Sequence, residues 1–126
     1  MTDTREMAET GLRRSRTWKA TASSGAALLV LVTVHMIAHH FVVEEVGGLR
    51  TYAQVLDYIS NPIMFAIEIL FLVVVTTHAM LGLRSVLFDF GLSTRVKRLV
   101  ARGLLALGIV TVAYGVTLIG VLAAKA

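Results

Sequence analysis

The sequence contains no cysteine, and this absence excludes two kinds of site at the outset. Without thiolates the chain cannot hold an iron–sulfur cluster through cysteine or form a disulfide. It also lacks the glycine-rich fingerprint of dinucleotide-binding domains. Charged residues make up only 16% of the chain, compared with about 25% in an ordinary soluble domain. These absences argue against a soluble redox enzyme that carries its own cofactors.

Apolar residues are abundant instead, at 56% of the 126 positions with a mean hydropathy of +0.78. They are concentrated in three uninterrupted blocks, and roughly 20 helical residues cross the hydrocarbon core of a bilayer. No polar face recurs inside the blocks, so soluble amphipathic helices are not indicated. The sequence predicts an all-α membrane protein with an N-terminal segment at 1–21 and an anchor domain at 22–126. Its transmembrane helices are expected at about 22–43, 62–84 and 103–124.

The basic residues are divided unequally between the flanks of these blocks. Ten lie before the first block or between the second and third, and the other two flanks carry only Arg50 and Lys125. Because cytoplasmic loops are enriched in lysine and arginine, the N-terminus is expected in the cytoplasm and the C-terminus outside. The chain is thus predicted to be a multi-pass protein of the cell inner membrane. This topology explains the net charge of +4, so no nucleic-acid partner is predicted.

Two shorter segments lie outside the blocks. The first 17 or so residues are polar and basic, which predicts a surface segment or a mobile tail. Between the first two blocks, apolar residues with rough helical spacing predict a short helix on the outer interface before Asn61–Pro62.

Five ionisable side chains lie within or close to the blocks, where such groups are costly and usually functional. They are His35, His39, His40, Glu68 and His78. His39 and His40 fall near the outer boundary, where solvation explains them. Glu68 is expected to be protonated or partnered, with snorkelling to the outer interface as the alternative.

His78 begins a polar stripe on the second helix. At 100° per residue, Gly82, Ser85 and Asp89 each lie within about 40° of His78. A neutral imidazole beside a gap left by glycine suits a b-type haem in an apolar slot. The alternative is a histidine that only forms a hydrogen bond to a neighbouring helix.

His35 shares a face of the first helix with Ser24, Leu28 and Leu31. Counted from the helix ends, His35 and His78 differ in depth by roughly 10 Å. They are therefore not expected to ligate the same haem. If both bind haem, each shares a different haem with a histidine of a partner chain.

The segment from His78 to Asp89 resembles a motif of the small membrane-anchor subunits of succinate dehydrogenase (succinate:quinone oxidoreductase). That motif has the form His-x-x-x-Gly-[Leu/Met/Ile]-x-x-[Val/Leu]-[Leu/Ile]-x-Asp, at the cytoplasmic end of the second of three helices. The chain is most similar to the smaller of the two anchors of such complexes. The residues that match are His78, Gly82, Leu83, Val86, Leu87 and Asp89.

The resemblance implies that His78, with Gly82 beside it, is an axial ligand of a haem b near the cytoplasm. It also implies that Asp89 lies near a quinone site. Phe90 stands where several members have an aromatic hydroxyl for the quinone. The quinone contact is then expected from Arg84, Ser85 or the partner chain.

At the start of the first helix, Ser24–Gly25 retains the Ser-Gly of a family motif whose arginine is absent, so Ser24 is a further candidate at the quinone site. His35 corresponds to a histidine of members that carry two haems, although Val34 replaces the usual glycine before it. One haem b is thus expected at His78, and a second at His35 is left open.

The expected function is that of a non-catalytic anchor in the electron-transfer complex. Its implied partners are a flavoprotein that oxidises succinate, an iron–sulfur subunit, a second membrane anchor, quinone and the bilayer. The alternative is a haem-free structural or transport subunit of another membrane complex, and Glu68 within a helix gives it some support.

Overall fold

The residues that the structure describes, 2–40 and 51–126 of a computed structural model, are almost entirely helical. The helices are α1 (Thr2–His40), α2 (Tyr52–Ser60), α3 (Pro62–Asp89) and α4 (Thr94–Lys125). Three of them, α1, α3 and α4, are long and apolar enough to cross a membrane. The predicted all-α class with three transmembrane helices is therefore confirmed.

The three long helices form a row with α3 in the middle. Helix α3 packs against α1 on one side and α4 on the other, and within the described segments α1 and α4 do not contact each other. Ser24 and His35 of α1 meet His78 and Glu68 of α3, respectively, which makes this pair antiparallel. A Cβ added at Gly115 of α4 would lie 2.5 Å from Leu72 Cδ2, so α4 approaches α3 closely there.

The long helices extend beyond the apolar blocks that predicted them. Helix α1 begins at Thr2 instead of near residue 22, and α3 continues past 84 to Asp89. The residues before 22 include alanine, arginine, glutamate and methionine, which favour helix, and no proline interrupts them. The N-terminal surface segment is thus a helical extension of α1. The predicted end of the first helix, at 41–43, lies outside the described residues.

Helix α2 confirms the predicted short helix and joins α3 at a sharp boundary. The Thr51 hydroxyl accepts from the Gln54 backbone N–H, and the Gln54 side chain accepts from the Thr51 N–H, which forms a capping box. Asn61 caps α3 through its side chain, and Pro62 occupies the first turn. Because only Asn61 separates the two helices, α2 is held beside the start of α3.

Few side chains are buried within the chain itself. In the described segments the buried residues are Ala38, Ile59, Thr76 and Leu104. Many large apolar side chains are exposed on all three long helices. In a membrane these surfaces face lipid or the helices of a partner, since lipid tails are as apolar as leucine.

Candidate functional site

His78 is held on α3 by a hydrogen bond to α1. Its Nδ1 lies 3.1 Å from Ser24 Oγ, and the same Oγ lies 3.0 Å from the Thr21 carbonyl oxygen. A serine hydroxyl has one proton, and the carbonyl can only accept. When Ser24 donates that proton to Thr21, its oxygen accepts from the His78 Nδ1–H. This tautomer leaves Nε2 of His78 with an unshared electron pair, which is the form that binds a metal.

Two glycines shape the space around His78. A Cβ added at Gly25 would lie 3.1 Å from His78 Cε1, so the glycine lets the imidazole lie against α1. A Cβ added at Gly82 would meet no heavy atom within 4 Å. Gly82 therefore faces open space within this chain, one helical turn from His78. A flat group or a partner helix could approach α3 there.

Further along α3, a cleft of about 900 Å³ opens at the end of the molecule that carries the N-terminal part of α1. Three of the residues predicted at the quinone site, Arg84, Ser85 and Asp89, line it. The Arg84 guanidinium lies 4.5 Å from the centre of the Phe88 ring, and the Lys97 ammonium lies 5.6 Å from it. These contacts place two cations around one aromatic ring at the cleft.

Ser24, the fourth residue predicted at the quinone site, is not among those that line this cleft. It lies one helical turn away, where it contacts His78. Thr21, which accepts the Ser24 hydrogen bond, does line the cleft. Ser24 thus connects the wall of the cleft to the histidine.

Sequence reasoning missed the contribution of α1 to the cleft. Its wall includes Arg14, Trp18 and Thr21, which are spaced four and three residues apart and therefore lie on one helical face. This spacing is visible in the sequence. It would have predicted the face if the first helix had been predicted to begin before residue 22.

A second polar site lies near the other end of the α1–α3 pair, around Glu68. His35 Nδ1 lies 3.0 Å from Glu68 Oε1, and His39 Nε2 lies 3.2 Å from the same oxygen. Tyr58 of α2 donates its hydroxyl to this oxygen at 2.7 Å. We call these four residues the Glu68 cluster. Glu68 therefore has hydrogen-bond partners, which is one of the states that the sequence analysis expected for it.

The Glu68 cluster corrects the interpretation of His39, whose position near the outer boundary indicated only solvation. Its ring lies between those of His35, 4.2 Å away, and Tyr58, 4.7 Å away. His35 also stacks on Phe71 at 4.7 Å. The signal in the sequence was the spacing of His35 and His39, since residues four apart share a helical face. The side chain of His40 lies outside the described residues.

The two sites are well separated along the helix pair. Glu68 and His78 are ten residues apart on α3, which corresponds to roughly 15 Å at 1.5 Å per residue. This spacing agrees with the expectation that His35 and His78 do not face one another across a single cofactor.

Comparisons with known proteins agree on one family. Residues 14–117 match the family model described as the succinate dehydrogenase/fumarate reductase transmembrane subunit. The chain is similar to the succinate dehydrogenase hydrophobic membrane anchor subunit of Thermoplasma acidophilum, with 26% identity over 84% of each chain. It is also similar to the protein of that name from Archaeoglobus fulgidus, with 32% identity over 64% of this chain and 66% of the relative. No solved structure matches the chain.

Proposed function

The chain belongs to the family of succinate dehydrogenase/fumarate reductase transmembrane subunits, and we propose that it contributes an axial haem b ligand and part of a quinone site to its complex. As a membrane anchor it is a non-catalytic subunit of an oxidoreductase. The proposal assigns the haem ligand to His78 and the quinone contacts to Arg84, Ser85 and Asp89.

The haem assignment is carried by the hydrogen bond between Ser24 and His78 together with the open space at Gly82, because a histidine that only links two helices would form the hydrogen bond alone. The hydrogen bond engages Nδ1, and when the Ser24 hydroxyl donates to the Thr21 carbonyl it leaves Nε2 unprotonated. A histidine that binds metal commonly uses its other nitrogen in such a contact. Gly82 adds open space on the same face. When bound, haem b supplies a one-electron carrier inside the membrane. In this assignment Ser24 would fix the tautomer of His78, and a partner anchor would complete the haem site.

The quinone assignment is supported by the chemistry of the cleft at the end of α3. A guanidinium and a serine hydroxyl can both donate hydrogen bonds to a quinone carbonyl. Asp89 is exposed at the rim of the cleft, where a carboxylate can exchange protons with water. Phe90 is 73% exposed and has no hydroxyl, so Arg84 and Ser85 take the donor role in the proposal.

The proposed arrangement puts the basic end of the chain in the cytoplasm. The cleft there is lined by Arg13, Arg14, Arg84 and Lys97, in accord with the enrichment of positive charge on that side. The iron–sulfur subunit and its flavoprotein would dock at this end, in a complex of the cell inner membrane. The second anchor would then pack against the exposed apolar side chains of the long helices.

The second haem that the sequence left open at His35 stays a prediction. The ring of His35 uses Nδ1 in its contact with Glu68, which leaves Nε2 for any axial role. A haem count on the intact complex separates one haem from two.

The test of the proposed function is the reduced-minus-oxidised spectrum of the purified complex, normalised to flavin. His78→Ala should lose the haem b band. His39→Ala should keep it, because His39 lies in the Glu68 cluster and not at the proposed haem site. A His78→Ala complex that assembles with its flavoprotein and keeps normal haem bands would refute the ligand assignment.

A further inference from the structure

We propose that His35, His39 and Glu68 form a binding site for a divalent transition-metal ion of the zinc class, separate from the haem and quinone sites. Three potential ligand atoms, one from each residue, lie within 4.8 Å of one another. They come from two different helices, and the packing of α1 against α3 brings them together. This site does not depend on the function proposed for His78.

The distances between the ligand atoms fit a small ion. Zinc binds imidazole nitrogen and carboxylate oxygen at about 2.0–2.2 Å, so tetrahedral ligand atoms lie about 3.3 Å apart. The observed separations from Glu68 Oε1 are 3.0 Å to His35 Nδ1 and 3.2 Å to His39 Nε2. The third separation, between the two imidazole nitrogens, is bounded at 4.8 Å. To share an ion, the imidazoles must approach each other to about 3.3 Å and present unprotonated nitrogens.

The kind of ligand also selects the ion. Two histidines and one carboxylate form the protein ligand set of several zinc sites that keep a fourth position open. The Tyr58 hydroxyl lies 2.7 Å from the same carboxylate oxygen, so it is placed to provide that ligand or to bind a water that does. Imidazole ligands exclude calcium and magnesium, which prefer oxygen. For a given set of such ligands zinc binds more tightly than ferrous iron.

Burial and charge favour an ion here. The Glu68 side chain is only 14% exposed, while the His35 and His39 side chains are 26% and 30% exposed. A carboxylate at that depth is costly without a compensating charge, and a divalent cation supplies one.

Binding of an ion at Nδ1 has a consequence for His35. A neutral imidazole offers one unprotonated nitrogen, so a ring that ligates zinc through Nδ1 carries its proton on Nε2. That ring cannot serve as an axial haem ligand at the same time. The metal site and a second haem at His35 are therefore alternatives, and one experiment can separate them.

The test uses the intact detergent-purified complex, dialysed against chelator and then against buffered Zn²⁺, with bound zinc and haem both counted per flavin. The wild-type complex should retain one more zinc than the Glu68→Gln complex. Asp57→Asn, which removes an exposed carboxylate on α2, serves as the matched control and should bind zinc like the wild type. His39→Gln tests the second imidazole ligand. Because the His39 ring packs between those of His35 and Tyr58, the haem b content of this variant is measured to check its folding. Since loss of an outer partner alone costs about 10–100-fold in affinity, each ligand variant should bind at least about 100-fold more weakly.

Normal haem b in the Glu68→Gln and His39→Gln complexes will show that they are folded. Equal zinc retention in the wild type and both ligand variants would overturn the proposal. So would a wild-type complex with two haems that loses one of them in His35→Ala.

Discussion

Ser24 on α1 and His78 on α3 share a hydrogen bond of 3.1 Å between Oγ and Nδ1. The contact joins two helices that are far apart in the sequence and determines which imidazole nitrogen is free. Because Ser24 donates its own proton to Thr21, the hydroxyl acts as an acceptor toward the ring. In this arrangement the contact orients the His78 ring and favours the tautomer with its proton on Nδ1.

Ser24→Ala should therefore weaken haem binding without abolishing it. Removing a hydrogen-bond partner of a metal-bound histidine typically costs about 10–100-fold in affinity or activity. We expect a loss of haem affinity in that range and a shifted midpoint potential, measured by spectroscopic redox titration of the complex. Ser23→Ala is the control, since the Ser23 hydroxyl is exposed and donates to the Ala20 carbonyl of its own helix. Equal changes in both variants would contradict the role of Ser24.

Gly25→Ala should displace the His78 ring. The added methyl would lie 3.1 Å from Cε1, which is closer than ordinary van der Waals contact, and an imidazole cannot bend away as a flexible chain can. We expect altered haem b bands and a loss of stability of about 1–3 kcal/mol from overpacking. Gly120→Ala, where the structure shows nothing within 4 Å, should leave the spectrum unchanged. An unaltered spectrum in Gly25→Ala would mean that the haem does not use this ring position.

Asp89→Asn should slow quinone reduction. The proposal places this carboxylate at the rim of the quinone cleft, where its loss removes a proton donor and acceptor. A typical general acid–base contribution is about 10²–10⁴-fold, and we expect a decrease of at least tenfold, near the lower limit of that range. Oxidation of succinate with a soluble acceptor should continue at the normal rate. Parallel loss of both activities would instead indicate failed assembly.

Tyr58→Phe should destabilise the junction between α2 and α3. The variant removes the 2.7 Å hydrogen bond to Glu68 but keeps the ring against His39. Hydrogen bonds to charged groups contribute about 1.5–3 kcal/mol, and those between membrane helices about 0.6–2 kcal/mol, so a loss near 1–2 kcal/mol is expected. Thermal denaturation of the complex measures it. Tyr52→Phe is the control, because Tyr52 is 60% exposed, and a matching loss there would rule out the specific contact.

The sequence was enough to predict the three long helices, because apolar blocks of bilayer length have few other structures available to them. The ends of the helices were not predictable from apolarity. Helix α1 continues outward to Thr2 and α3 to Asp89, since helix propensity does not stop where the membrane does. This extension is also what brings Arg14 and Trp18 to the cleft.

The stripe of His78, Gly82, Ser85 and Asp89 followed from helical geometry alone. The partners of these residues did not, because contacts such as Ser24–His78 depend on the register between two helices, which no local pattern encodes. The contacts within the Glu68 cluster could not be predicted for the same reason. Its tyrosine comes from α2, which packs against α3 and α4 and is joined to α3 at Asn61, and this position lets Tyr58 reach the carboxylate.

The position of α3 between two helices that do not touch has a consequence for biogenesis. Within the described segments α1 packs mainly against α3, and α4 packs against α3 and α2, but α1 and α4 give each other no support. Lipid offers no hydrophobic force to press these helices together. If a second anchor is its partner, as proposed, a newly inserted copy is an orphan subunit. Its lifetime then depends on how soon that anchor covers its exposed apolar surface and how soon a membrane protease engages it. In a pulse–chase experiment the chain made alone should decay faster than the chain made with its partner. The balance of synthesis between the two anchors, more than the output of either, would then limit how much complex accumulates.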